Sequence, residues 1–391
     1  MDEKIYWIWL QQALSYGSRK AKVVNHYYKN IKDFYSAGER EWRICGCFLN
    51  REIEALLSIS LDKAKLILEK SYNLGYEILT LADEEYPKLL KDIPNPPCVL
   101  YVKGDRLCLS GNLNISVVGT RKATSYGTEM AFEISRDLAS AGAVVVSGGA
   151  IGVDFAAHEG ALNGGGKTVA VLGCGINYPY LMNNASLREK ISKNGAVISE
   201  YPPDFQASPR NFPIRNRIIS GLSLGTVVIE AGEKSGSLIT ANLANDQNRD
   251  VFVVPIDMES RLAVGATGLI RDGATVITCA QNILDEYSKR IGNDFKIKKI
   301  KSTAQKIEIP VTESANKKLN LKSKNKKILN SLDNKSKIIY RTIEGGKNKM
   351  HIDDISRKTG LLIKDLLPII TELELYGLIK PCSGRMYEVN N

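Results

Sequence analysis

Apolar residues in the first part of the chain recur at intervals of three and four, the spacing of one helix face, in IYWIWLQQALSYG, RKAKVVNHYY, NREIEALLSI and LDKAKLILEKSYNLG. Gly17, Gly38 and Gly75 stand where such helices stop. Residues 1–80 are therefore expected to form a small helical domain. The turns LSYGSRKA and ISLDKA each join two helices beside a lysine, in the style of a helix-hairpin-helix or SAM-like module that offers backbone N–H groups to a phosphate. Only the first has a glycine to aim those groups outwards, which favours a plain helical adaptor.

From about residue 110 the period changes. Runs rich in Val and Ile, namely ISVVG, AVVVSGG, TVAVLG, AVISE, TVVIE, VFVVP and ATVIT, alternate with helical stretches up to about residue 280. Strands written as unbroken apolar runs are covered on both faces, so the pattern predicts a parallel sheet with helices on either side. The expected fold class is α/β, a Rossmann-like doubly wound domain over 81–285 whose ligand lies beyond the carboxyl ends of the strands. Residues 328–391 read as helix, helix-turn-helix and a two-stranded end, the order of a winged helix.

Composition changes this picture little: 43% hydrophobic and 25% charged residues in a chain of 391 fit a globular protein of several domains. No apolar run approaches the roughly 20 residues of a membrane span. MDEKIYWIWLQQAL places two acids where a secretory leader carries basic residues, so the expected location is the cytoplasm, without membrane contact. The net charge of +10 becomes informative once located. Between Lys289 and Lys327 stand 13 Lys and Arg against 3 Asp and Glu, the excess of the whole chain in one tract. Residues 286–327 are accordingly expected to be a flexible basic linker, a solvated tether in the ordinary case, with loose, salt-sensitive affinity for DNA as the alternative. In the winged helix, LIKDLLPIITELELYG sets Lys364 against Asp365, Glu372 and Glu374 and holds Pro368, a potential kink. That charge count favours a protein partner over DNA.

Candidate chemistry begins with GGGKT at 164–168. A phosphate loop needs a first glycine at position 161, which is Ala161, and must lead from strand into helix; here a helix ends and Lys167 opens a strand. Both requirements fail. Four glycine turns do follow strands: Gly119-Thr120-Arg121, with Ser125 as the following helix start; Ser147-Gly148-Gly149 with Gly152; Gly173-Cys174-Gly175; and Glu230 leading to Ser235-Gly236-Ser237. They share one edge of a parallel sheet and together predict an anion cradle for a phosphate-bearing ligand. The G-x-G-x-x-G fingerprint and its following acid are missing, which argues against hydride transfer.

SPRNFPIRNRIISGLS sets Arg210, Arg215 and Arg217 beside Asn211, Phe212 and Asn216, a mixture suited to phosphates, base edges and stacking. If this segment is extended, Arg215 and Arg217 point to opposite sides and one is structural, paired with Glu230 or Asp154. Asp154 and His158, four apart on one helix, read as structural for want of a third ligand or a nucleophile. Seven cysteines without a CxxC spacing and only three histidines argue against a metal, and Cys45/Cys47 lack a second pair. No metal, no cofactor and no catalytic residue is expected.

The order VVGTR, SGGAIGVDFAAHEGAL, KTVAVLG, ISEYPP, FPIRNRIISGLS, EAGEKSGSLITA and VFVVP resembles the DprA (Smf) DNA-processing family, over most of residues 75–280. ILTLADEEYPKLLKDIPNPPCVLYVKGD resembles that family's approach to its Rossmann-like domain. The resemblance implies a dimer that binds single-stranded DNA, protects incoming strands and loads the recombinase RecA, with single-strand-binding protein displaced. It also implies that Arg121, in Gly119-Thr120-Arg121, and Lys167 contact DNA phosphates. Ser147, Gly148, Gly149, Asn216, Arg217, Ser235, Gly236 and Ser237 would line the same pocket, with Arg210, Phe212 and Arg215 as additional contacts. Two departures, Ile256 after Pro255 and Thr267 in GATGLI, put the 256–270 loop in doubt as a DNA-contacting element.

Two further readings stay open. A nucleotide sensor or nucleoside-monophosphate phosphoribohydrolase on a related fold would use Glu230 as its acid, although the glycine pair that precedes the Gly-Thr of those enzymes is missing before Gly225-Thr226. A scaffold with a vestigial pocket is the third.

Overall fold

The structure is a computed structural model that describes residues 2–28, 30–181, 184–257, 260–292, 334–345, 349–375, 378–382 and 386–389. The chain divides into two compact units, Met1–Thr303 and Ala304–Asn391. Most of the basic tract 286–327 lies outside the described residues.

The first unit opens with helices α1 (Lys4–Ala13), α2 (Lys20–Tyr27), α3 (Ile31–Ile44), α4 (Asn50–Ser58) and α5 (Leu61–Asn73). Helix α3 is two helical pieces meeting at a kink at Gly38, whose backbone is non-helical (φ +70°, ψ −173°), so the helix breaks at the glycine read as a stop. Cys45 caps its carboxyl end, so the Cys45/Cys47 pair sits at a helix edge. The helices share one hydrophobic core with the sheet that follows; Trp9, Phe34 and Trp42 form its aromatic centre. Gln11 of α1 donates from Nε2 to the carbonyls of Val99 and Glu200, at 3.1 and 2.8 Å, and accepts from the Tyr101 hydroxyl at 3.2 Å. The Gly17 turn also faces protein: Asn95 Nδ2 donates to its carbonyl at 3.1 Å. These contacts fit the adaptor reading of the segment.

Then come β1 (Glu77–Thr80), α6 (Lys88–Asp92), β2 (Val99–Gly104), a short 3-10 helix (Arg106–Ser110), β3 (Asn114–Val118), α7 (Ser125–Ser140), β4 (Val144–Ser147), α8 (Val153–Asn163) and β5 (Thr168–Leu172). The unit continues with α9 (Ala185–Asn194), β6 (Gly195–Ser199), α10 (Asn211–Gly221), β7 (Gly225–Val228), α11 (Gly236–Asp246), β8 (Asp250–Val253), α12 (Ala263–Arg271), β9 (Thr275–Val276) and α13 (Ala280–Ile291). The sheet order is β1-β2-β6-β5-β4-β3-β7-β8-β9. Strands β3 to β9 are mutually parallel, and β2 joins β6 antiparallel with β1 outside it. The seven apolar runs read as strands are the seven parallel strands, and β3 to β7 are buried along their whole length, as a sheet covered on both faces requires. The antiparallel pair β1 and β2 is an addition to that pattern.

The second unit has α14 (Asn334–Glu344), β10 (Met350–His351), α15 (Ile352–Thr359), α16 (Ile363–Leu375), β11 (Ile379–Cys382) and β12 (Met386–Val389), with strand order β10-β12-β11. Ile339, Ile355, Leu366, Ile370 and Leu373 pack its core. This is the winged-helix layout, and α16 runs through position 368 without ending there.

Candidate nucleic-acid interface

Strand β3 lies between β4 and β7, so the chain winds outwards from it first to one side and then to the other. The crevice at the carboxyl ends of β3 and β7 is therefore the topological switch point, where open α/β sheets bind ligands. Local hydrogen bonds fix both of its lips. The Thr120 N–H donates to the Glu230 carbonyl at 2.9 Å, and the Val153 N–H to the Thr120 carbonyl at 3.2 Å. Gly152, with φ at +79°, permits this approach, since a Cβ there would stand 2.5 Å from the Thr120 carbonyl oxygen. Helix α7 is capped by Thr124, one residue ahead of Ser125: its hydroxyl oxygen accepts from the Gly127 N–H at 3.0 Å.

Glu230 serves this loop. It is buried, its Oε2 accepts from the Thr124 N–H at 2.9 Å and its Oε1 from the Thr124 hydroxyl at 2.5 Å. Both carboxylate oxygens are engaged and the side chain does not line the cavity, a geometry that disfavours the hydrolase reading.

A cavity of about 580 Å³ opens at the crevice. Gly119, Thr120 and Arg121 line it from the loop after β3; Phe212, Arg215 and Asn216 from α10; and Ser235, Gly236 and Ser237 from the start of α11. The structure thus gathers nine of the residues selected from sequence. Ser235 caps α11, accepting from the Ser237 N–H at 3.4 Å, so this helix presents its amino end to the cavity, the favourable end for an anion. Asn216 Nδ2 donates to the Gly236 carbonyl at 3.2 Å and ties α10 to that cap.

The charges differ in character. Arg121 is exposed, with its guanidinium 5.3 Å from the centroid of the half-buried Phe212 ring. Arg215 is buried, 5.9 Å from the same ring, and donates to the carbonyls of Gly148, at 2.6 Å, and Val171. Asp154 faces it. Burial raises the Asp154 carboxyl above the usual carboxylate range and lowers the Arg215 guanidinium below its usual value, each effect opposed by the other's charge. A Cβ on Gly148 would lie 2.6 Å from Asp154 Oδ2 and 2.8 Å from Arg215 Nη1, so only glycine fits between them. Arg215 is a brace for the cavity wall.

Other selected residues lie elsewhere. Arg217 is turned away from the cavity: α10 is helical, so residues two apart are separated by roughly 200° around the axis. Its Nη2 meets Glu200 Oε1 at 2.6 Å, both groups buried, and its Nε donates to the Asn95 carbonyl at 2.9 Å. Of the two partners expected for the structural arginine of this pair, Asp154 faces Arg215, while Arg217 is paired with Glu200 instead. Lys167 directly precedes β5 and so stands at the amino edge of the sheet, a strand length of roughly 16 Å from the carboxyl edge. There its Nζ lies 2.5 Å from Asp105 Oδ2. The Ser147 hydroxyl is buried and donates to the Val117 carbonyl at 2.7 Å. Gly148 and Gly149 stand behind the wall rather than in its lining; Arg210 is exposed ahead of α10 and outside the lining; Ile256 and Thr267 are outside it too.

His158 has a structural place. The Thr168 hydroxyl donates to the Val145 carbonyl at 2.7 Å, so it accepts from His158 Nδ1, also at 2.7 Å. This leaves Nε2 buried without a partner. Burial, followed by the Arg215 charge, pushes the imidazole pKa down to about 3. Among the described residues no three His, Cys, Asp or Glu side chains gather as a metal site, and no helix is long and apolar enough to cross a membrane.

Tyr180 also lines the cavity, its ring 5.3 Å from that of Phe212 at 37°. The sequence offered a signal for it, the aromatic pair in NYPYL directly after the third glycine turn.

The family model for DNA recombination-mediator protein A matches residues 77–288, and the DprA winged helix domain matches 329–385. The chain belongs to the DprA/Smf family. DNA processing protein DprA of Bacillus subtilis (strain 168) is 39% identical over 242 residues, covering 62% of this chain and 80% of that protein. Protein Smf of Synechocystis sp. is 31% identical over 99% of both chains. Among solved structures, DprA of Streptococcus pneumoniae is similar with a TM-score of 0.63 and 32% identity, over 73% of this chain and 98% of that one. DNA processing protein A of Helicobacter pylori, whose structure concerns its single-stranded DNA binding mode, gives a TM-score of 0.50 and 34% identity, over 55% of this chain and 96% of that one.

Proposed function

We propose that this DprA-family chain binds single-stranded DNA at the carboxyl edge of its sheet and acts as a recombination mediator. The observation that carries this is the convergence on one open cavity of an exposed guanidinium, Arg121, a half-buried aromatic ring, Phe212, and the capped amino end of α11. A strand of unpaired nucleotides presents what these groups take: phosphates for Arg121 and the N–H groups, and bare base faces for the ring. A duplex hides its base faces. The finer steps, protection of incoming strands, hand-over to RecA with displacement of single-strand-binding protein, and action as a homodimer in the cytoplasm, are supported by family membership.

Fluorescence anisotropy of a labelled oligothymidylate and of a duplex of equal length, at several salt concentrations, tests the reading. The single strand should bind more tightly, and its affinity should fall as salt rises. Equal affinity for the two, or binding insensitive to salt, contradicts it.

A further inference from the structure

We propose that Tyr180 is a nucleobase-stacking residue, supplying a base-dependent share of affinity beside the phosphate-dependent share of Arg121 and the α11 amino end. This rests on the single-stranded DNA reading above and adds a residue and a ligand moiety to it.

Tyr180 stands at the crest of the loop between β5 and α9, and the fold pins both ends of that loop. At its start the Gly175 N–H donates to the Phe205 carbonyl at 2.8 Å, and the Asn177 N–H to the Pro203 carbonyl at 2.9 Å. At its end Asn184 Nδ2 donates to the carbonyls of Gly149 and Ala150, both at 3.3 Å. Between these anchors the Tyr180 N–H turns back to the Tyr178 carbonyl at 2.7 Å, and Leu181 takes a φ of +49°. A leucine enters that left-handed region only where its surroundings impose it, and such strain gathers at binding sites.

What the strained crest holds in place is the tyrosine ring. It is half-exposed, lines the cavity and packs at 37° to Phe212. Phe212 is already crowded by two guanidiniums, those of Arg121 and Arg215. Tyr180 and Arg121 both stand 5.3 Å from Phe212, so three planar groups gather at the cavity wall. A flat, uncharged ring on a preformed loop, next to anion-binding groups, fits an unpaired base, and stacking of this kind accepts any base because every base has a π-face.

The test compares the full-length protein with Tyr180→Leu and Tyr180→Phe on two ligands, an oligothymidylate and an oligonucleotide of the same length built from abasic residues. Tyr180→Leu should weaken oligothymidylate binding at least about fivefold, the lower end of one lost base stack. It should leave abasic binding unchanged, and Tyr180→Phe should behave as wild type on both. Equal weakening on the two ligands, or none on oligothymidylate, overturns the stacking role while leaving the DNA-binding reading intact. Wild type that binds neither ligand overturns that reading and this inference together.

Discussion

The guanidinium of Arg121 lies 5.3 Å from the centre of the Phe212 ring, although one comes from the loop after β3 and the other from the first turn of α10. Exposed on one side and held against the ring on the other, Arg121 is a positive charge already positioned for a phosphate. Arg121→Ala should weaken single-stranded DNA binding about tenfold. It should also reduce the slope of log affinity against log salt by about 0.7, the share of one phosphate contact on a single strand. Anisotropy titrations across a salt series read both quantities.

Lys167→Ala, by contrast, should alter oligothymidylate affinity less than about twofold in those titrations, because a single rim charge away from the cavity adds little. Its ammonium is occupied by Asp105 at the other edge of the sheet.

The difference between these two residues shows what a sequence discloses. The glycine turns after the apolar runs place Gly119 to Arg121 and Ser235 to Ser237 at carboxyl ends of strands, and a parallel sheet brings all such ends to one edge. The same rule sends Lys167, at the start of a strand, to the other edge. Arg217 was less legible. Whether 211–221 is helical or extended, Arg215 and Arg217 point apart, and only the partner Glu200, supplied by the end of β6, decides which one faces inward. Tyr180 depends on a loop whose course is set by anchors distant in sequence, Pro203, Phe205 and Gly149 among them.

Arg217→Ala should cost about 3–5 kcal/mol of stability, since it leaves Glu200 as an uncompensated buried charge. Urea unfolding measures this. Protein that remains folded should bind oligothymidylate as wild type does.

Gly152→Ala tests the lip of the cavity. The new Cβ would sit in a left-handed backbone and press on the Thr120 carbonyl, so a loss of about 1–3 kcal/mol is expected, with weaker DNA binding as the Arg121 loop shifts. Thermal unfolding and anisotropy on the same preparation check the two effects.

The buried His158 gives the fold a pH dependence of definite sign. Its pKa is near 3 in the folded state and about 6.5 when unfolded, so between those values the unfolded chain binds the extra proton. Its contribution is fully present above the unfolded pKa and is lost as pH falls through the window, at a limiting slope of about 1.4 kcal/mol per pH unit. Unfolding free energies measured from pH 7 to pH 4 should fall in wild type and fall less steeply in His158→Gln.

Amide hydrogen exchange with and without oligothymidylate locates the bound strand most directly. Slowed exchange should appear at Gly119 to Thr124, around Tyr180 and Phe212, and at Ser235 to Thr240, the residues around the cavity. Protection confined to the amino edge, around Asp105 and Lys167, with none at those segments, would contradict a binding site at the carboxyl edge of the sheet.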